Sequence, residues 1–182
     1  MSTIHLAIIV GSNHRGSINR QYAQALAKLL PAHFSVSYPQ IDDLPMYSLD
    51  LEGERPASVT RFTDEIRAAD AVLFVTPEHN RSVPAVLKNA IDWGSKPMDQ
   101  NVWADKPVAL TGTSPGAMGA AHAQQHLRQI MGILRSVVLG GEAYIQFHPE
   151  LITSEGEIAP QSRGFLQAYI DRFVSLVEKL KG

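Results

Sequence analysis

Residues 4–30 spell a strand, a polar loop and a helix, and that unit constrains the fold more than anything else in the chain. Ile4-His5-Leu6-Ala7-Ile8-Ile9-Val10 is a nearly unbroken apolar run, and Gly11 to Arg20 read GSNHRGSINR. Ile18, Tyr22, Ala25, Leu26, Leu29 and Leu30 then recur at helical spacing. Such a turn aims backbone N–H groups and the positive end of a helix at one spot, which suits a phosphate. The charges agree. A helix's first turn favours Asp or Glu, yet this one carries His14, Arg15 and Arg20, and no acidic residue precedes Asp42. Cations are unfavourable there unless an anion sits among them. The competing reading makes Ser17 an ordinary helix cap and the arginines solvated surface charges.

The loop departs from the commoner nucleotide motifs. Gly11 and Gly16 have Walker A spacing, but Ser17 stands where that motif needs lysine. Asn13 stands where the dinucleotide fingerprint needs its second glycine. What remains is a cradle of Ser12, Asn13, Ser17 and Asn19, sized for a phosphomonoester.

The same beat recurs downstream. Phe34 to Tyr38 alternate like a short strand, a long loop from Gln40 to Pro56 follows, and Val59 to Ala69 read as a helix. Ala71-Val72-Leu73-Phe74-Val75 reads as a central parallel strand buried on both faces. The pattern then predicts a helix from Ser82-Val83-Pro84 to Trp93 and a strand over Pro107 to Thr111. A helix over Gly119 to Leu134, a glycine-interrupted strand within Val137 to Ile145 and a closing helix over Phe165 to Leu180 complete it. Five strands alternating with five helices imply an α/β parallel sheet covered on both faces, in a single domain spanning 1–182. In such sheets ligands sit beyond the carboxyl ends of the strands, where strand order reverses. The loops to inspect are therefore 11–20, 76–84 and 112–119.

Composition narrows the partners. With 16 basic against 18 acidic residues, the net charge of -2 carries no bias towards nucleic acid or an anionic membrane. Zero cysteines remove disulfides, thiolate metal sites, iron–sulfur clusters and a cysteine nucleophile together. The N-terminus lacks a basic leader, and no stretch approaches the roughly 20 apolar residues of a membrane span. The expectation is a cytoplasmic protein whose partners are small molecules and copies of itself.

Three segments together, GSNHRGSIN, TPEHNRSVPAVLKNAIDW and TGTSPGAMGAAHAQQHLRQI, resemble the NADPH-dependent FMN reductase family, including its quinone and chromate reductase members. The resemblance covers nearly the whole chain. It implies a flavodoxin-like three-layer fold of strand order 2-1-3-4-5 that binds FMN, with NAD(P)H as co-substrate. By that resemblance Ser12, Ser17 and Asn19 match the phosphate contacts, Pro77, Glu78, His79, Asn80 and Ser82 the ring-contacting loop, and Ser114 and Gly116 the third loop. His14, Arg15 and Ile18 of the first loop complete the expected cofactor set. The family's first motif runs Gly-Ser-x-Arg, where this chain has His14 with Arg15 beside it; its second reads Pro-Glu-Tyr-Asn, where this chain has His79.

The implied activity is hydride transfer from NAD(P)H to FMN, then two-electron reduction of a quinone-like or other small acceptor by a ping-pong route, with no catalytic side chain. The family also implies a homodimer or homotetramer. Trp93, Trp103, Met118 and the His122/His126 face are candidate contacts. Other readings are weaker. Gly112-Thr113-Ser114-Pro115-Gly116 fits a serine-hydrolase elbow followed by Glu142 and His148, but Pro115 lacks the N–H that the oxyanion hole requires. His122 and His126 lie four apart on a helix with His148 as a possible third metal ligand, yet Ala123 replaces the zincin glutamate. A non-enzymatic flavodoxin-type carrier would be more acidic than this chain.

Overall fold

A computed structural model describes residues 3–182. Strands β1 (Ile4–Val10), β2 (Phe34–Ser37), β3 (Ala71–Val75) and β4 (Pro107–Ser114) are joined by helices α1 (Ile18–Ala27), α2 (Ala57–Ala68) and α3 (Ala85–Gly94). After β4 come α4 (Ala121–Ile133), β5 (Val137–Val138), β6 (Tyr144–Gln146) and α5 (Pro160–Lys181). All pairings are parallel, in the order β2-β1-β3-β4-β5, with β6 also on β4. This is the expected flavodoxin-like order.

The period-2 alternation of buried strands sorts the core into two faces. Leu6, Ile8, Val10, Leu73 and Val75 pack beneath α1 and α5 against Tyr22, Leu26, Tyr169 and Phe173. Ala7, Ile9, Val72, Phe74 and Leu110 pack on the other face against Phe62 of α2, Leu87 and Trp93 of α3, and Leu127 of α4. Trp93 and Trp103 are fully buried. Their indole N–H groups donate to the carbonyls of Pro45 at 2.7 Å and Ile91 at 3.0 Å. These two expected subunit contacts are therefore core residues, because an indole buried with its N–H satisfied has nothing left to offer a partner.

The last strand differs from the single interrupted strand expected. It splits in two: β5 pairs with Pro107 and Val108, β6 with Gly112 to Ser114. The Tyr169 hydroxyl fills the gap, accepting from Leu110 N at 3.1 Å and donating to Leu110 O at 2.7 Å. Burial pushes that hydroxyl up to about 12, so it stays protonated and keeps both bonds. The closing helix also starts five residues before the expected Phe165. Pro160 occupies the first turn, where a missing N–H costs nothing.

The long 40–56 loop is pinned rather than free. Ile41 and Leu44 are buried, and Asn89 of α3 receives the Tyr47 N–H at 2.8 Å while donating to Pro45 O at 3.0 Å. No helix among the described residues is long and apolar enough to cross a membrane.

Candidate functional site

The carboxyl ends of β1, β3 and β4 open on one cleft of about 380 Å³. Glycines let its floor close up: a Cβ on Gly112 would lie 1.9 Å from the Thr76 carbonyl oxygen, and one on Gly11 2.8 Å from Thr76 Oγ1. Ser12, His14, Ser17, Ile18 and Asn19 line it from the first loop, Pro77, Glu78 and His79 from the second, and Ser114 from the third. Arg15, Asn80, Ser82 and Gly116 do not line it. Gly16, Thr113 and Pro115 do, although sequence reasoning did not select them.

In the first loop Ser17 caps α1, its hydroxyl accepting from Arg20 N at 3.3 Å, while its own N–H donates to His14 O at 3.1 Å. The amides of Ile18 and Asn19 lie in the first turn, where no intrahelical acceptor exists, and both residues line the cleft. The first turn holds no acidic residue. His14, Arg15 and Arg20 form no ion pair among the described residues, so the loop's positive charge is uncompensated.

Asn19 departs from its expected part. β4 outruns β3 past Thr111, which leaves the N–H and C=O of Thr113 without a strand partner on the β3 side, β6 lying on the other. The Asn19 carboxamide takes that lane: Oδ1 accepts from Thr113 N and Nδ2 donates to Thr113 O, both at 2.9 Å. It is 1% exposed. Its side chain is thus a brace between α1 and β4, and only its backbone N–H is free for a phosphate.

The second loop is a tight hairpin in which His79 and Ser82 exchange backbone bonds at 3.0 and 2.9 Å, with Asn80 and Arg81 at φ 49° and 61°. Glu78 turns away from this hairpin to α4. That helix follows Ala120, which offers no side-chain cap. Glu78 Oε2 accepts from the His122 N–H at 2.9 Å and the Ala123 N–H at 3.3 Å, supplying the cap from another element. Oε1 lies 3.2 Å from Arg81 and 3.4 Å from His122 Nδ1. Burial opposes ionisation of Glu78, but the two backbone donors, Arg81 and His122 outweigh it and hold the carboxyl below its ordinary value. A depressed carboxyl stabilises the fold above the ordinary carboxylate range, and that stability is lost as pH falls. Glu78→Gln is therefore expected to cost about 1–2 kcal/mol at neutral pH, the worth of a charge-assisted cap. The difference from the parent should shrink as pH is lowered through the carboxylate range, read as melting temperature against pH; a gap that persists at low pH would contradict the ionised cap.

Ser82 bonds His126 Nδ1 of α4 at 2.9 Å, so His122 and His126 each brace the second loop instead of converging on one point. The hydrolase triad is not assembled. Ser114 Oγ donates to Gly116 O at 3.3 Å, and Glu142 is engaged by Gln125 at 2.5 Å.

The model of the NADPH-dependent FMN reductase family matches residues 4–150, which carry all three loops. The chain belongs to that family. A quinone reductase from Pseudomonas putida is 45% identical over 181 residues, 98% of this chain and 97% of its own. A 2-hydroxy-1,4-benzoquinone reductase from a Burkholderia species is 43% identical, covering 96% of each. The solved structure of the flavoenzyme NAD(P)H:(acceptor) oxidoreductase FerB from Paracoccus denitrificans superposes with a TM-score of 0.93 at 41% identity, over 97% of this chain and 98% of that one. As an FMN reductase the chain is an oxidoreductase with FMN as cofactor and NAD(P)H as co-substrate. The cleft fits that cofactor: free first-turn amides, the Ser12 hydroxyl and the His14 ring suit a phosphate, and the gap between the second and third loops leaves room for a flat ring.

Proposed function

We propose that this FMN reductase moves two electrons from a reduced nicotinamide to a quinone-like acceptor, the two substrates using one cleft in turn. The observation that carries this is the first loop, free of acid and rich in free N–H groups, opening onto a shared space with His79 and Ser114. When bound, FMN supplies a ring that accepts hydride and passes both electrons on. The chain's own part is to hold and orient. The Ile18 and Asn19 amides with Ser12 and His14 would hold the phosphate, and Pro77, His79 and Ser114 would hold the ring; Glu78 and Ser82 lock the second loop to α4. Arg15, Asn80 and Gly116 stand outside the lining and act through loop shape and charge. We take the reaction to run in the cytoplasm, in one domain spanning 1–182.

Single-pocket turnover gives parallel double-reciprocal plots of rate against NAD(P)H at several benzoquinone concentrations. Intersecting lines with a demonstrated ternary complex would contradict it.

The enzyme is proposed to act as a homodimer or homotetramer built on α3 and α4. A groove of about 570 Å³ between them is lined by Val83, Ile130 and Ile133, and Ile133 is 81% exposed. Exposed apolar surface of this kind marks an interface. Light scattering at micromolar concentration should give at least twice the chain mass; a monomer mass would overturn it.

A further inference from the structure

On the far side of Ser12 from the FMN cleft lies a second recess of about 290 Å³, between the start of α1 and the segment after β2. Its floor is apolar, from the buried side chains of Ile8, Val10 and Ile41. Its walls carry Arg20, Tyr38, Gln40 and Asp42. Ser12 lines both recesses, so the two meet at the first loop. Arg61 holds the outer segment from behind, donating to Gln40 O at 3.3 Å and pairing with Asp43 at 2.9 Å. The side chains of Arg20, Tyr38, Gln40 and Asp42 make no hydrogen bond or ion pair among the described residues. All four are exposed at the rim, so groups of different chemistry gather around one space without pairing with each other.

The order of those groups describes a ligand. A cation beside the phosphate loop suits a second phosphate. A carboxylate beyond the end of β2 suits a ribose diol, as acidic residues do in dinucleotide folds. The Tyr38 ring and the Ile41 side chain suit a flat base. A bare phosphate would need neither the aromatic nor the apolar floor, and an acidic peptide would meet Asp42. The volume lies at the small end of ligand sites, enough for half a dinucleotide.

We infer that this recess binds the adenosine monophosphate portion of a dinucleotide, with its phosphate on Arg20, its ribose on Asp42 and its base against Tyr38. The inference rests on the proposed placement of the FMN phosphate in the first loop. Two molecules carry that chemistry. One is FAD, whose adenylate continues from the flavin phosphate; the other is the nicotinamide dinucleotide, whose far end lies here while its ring enters the cleft.

The test is calorimetric titration of the FMN-loaded protein with 5′-AMP and with 2′,5′-ADP. The expected result is binding of 5′-AMP and weaker binding of 2′,5′-ADP, whose extra phosphate meets Asp42. Arg20→Gln should weaken 5′-AMP about tenfold, the worth of one charge-assisted hydrogen bond, and Asp42→Asn should narrow the gap between the two nucleotides. Tighter binding of FAD than FMN to the apoprotein, lost in Tyr38→Ala, makes FAD the source. A raised KM for NADH in Tyr38→Ala, with kcat and FMN affinity unchanged, makes it the nicotinamide. No heat from 5′-AMP, or heat indifferent to Arg20→Gln, Tyr38→Ala and Asp42→Asn, would overturn the inference. Failure of the first loop reads differently: FMN would not bind, while heat from 5′-AMP that Asp42→Asn alters would keep the recess.

Discussion

Asn19→Ala is expected to destabilise the protein by about 2–6 kcal/mol, since it strands two buried backbone groups of Thr113 at roughly 1–3 kcal/mol each. For a domain of this length that is a fall in melting temperature of about 5–20 °C. The same change frees the start of α1 from β4, so FMN affinity should fall with it. The cause is particular to this site. Both 2.9 Å bonds of Asn19 end on one residue, and no strand is left on the β3 side of β4 to replace them. Asn19→Asp is the second variant: it keeps the acceptor for Thr113 N–H but turns a buried carboxylate oxygen onto Thr113 O. It should melt below the parent, as alanine does; equal melting temperatures for all three would show that the brace carries no weight.

The brace also marks where sequence stopped being informative. β1, β3 and the helix after Ser17 were legible because their periodicity is strong and their neighbours are loops of Gly, Ser and Asn. The three loops of the cleft followed from the rule that ligands gather beyond the strand ends, and the family resemblance named their residues. Asn19 looked like a loop amide facing a ligand. Its actual partner is set by β4 being longer than β3, a difference in length between segments far apart in the chain. Glu78 was similar: the resemblance set it in the ring-contacting loop, but besides Arg81 its partners are amides of α4, 44 and 45 residues on. The split of the last strand was foreshadowed by Gly140 and Gly141, yet the hydroxyl that bridges it comes from Tyr169, which reads in sequence only as one more apolar position on a helix. Arg15 and His14 were both candidates for the phosphate from their charge, and the turn of the loop brings His14 to the cleft and leaves Arg15 outside the lining.

That geometry gives the second large effect, discrimination between FMN and riboflavin. The two ligands share the ring and differ in the phosphate, so the difference isolates the first loop. Two or more charge-assisted hydrogen bonds at about 1.5–3 kcal/mol each correspond to at least a hundredfold preference for FMN. His14→Gln should erode that preference more than Arg15→Ala, because His14 lines the cleft and Arg15 does not. Neither should change riboflavin affinity. The deciding measurement is calorimetric titration of the apoprotein with FMN and with riboflavin under identical conditions: FMN at least about a hundredfold tighter is the expected result, and equal affinities would contradict a loop built around the phosphate.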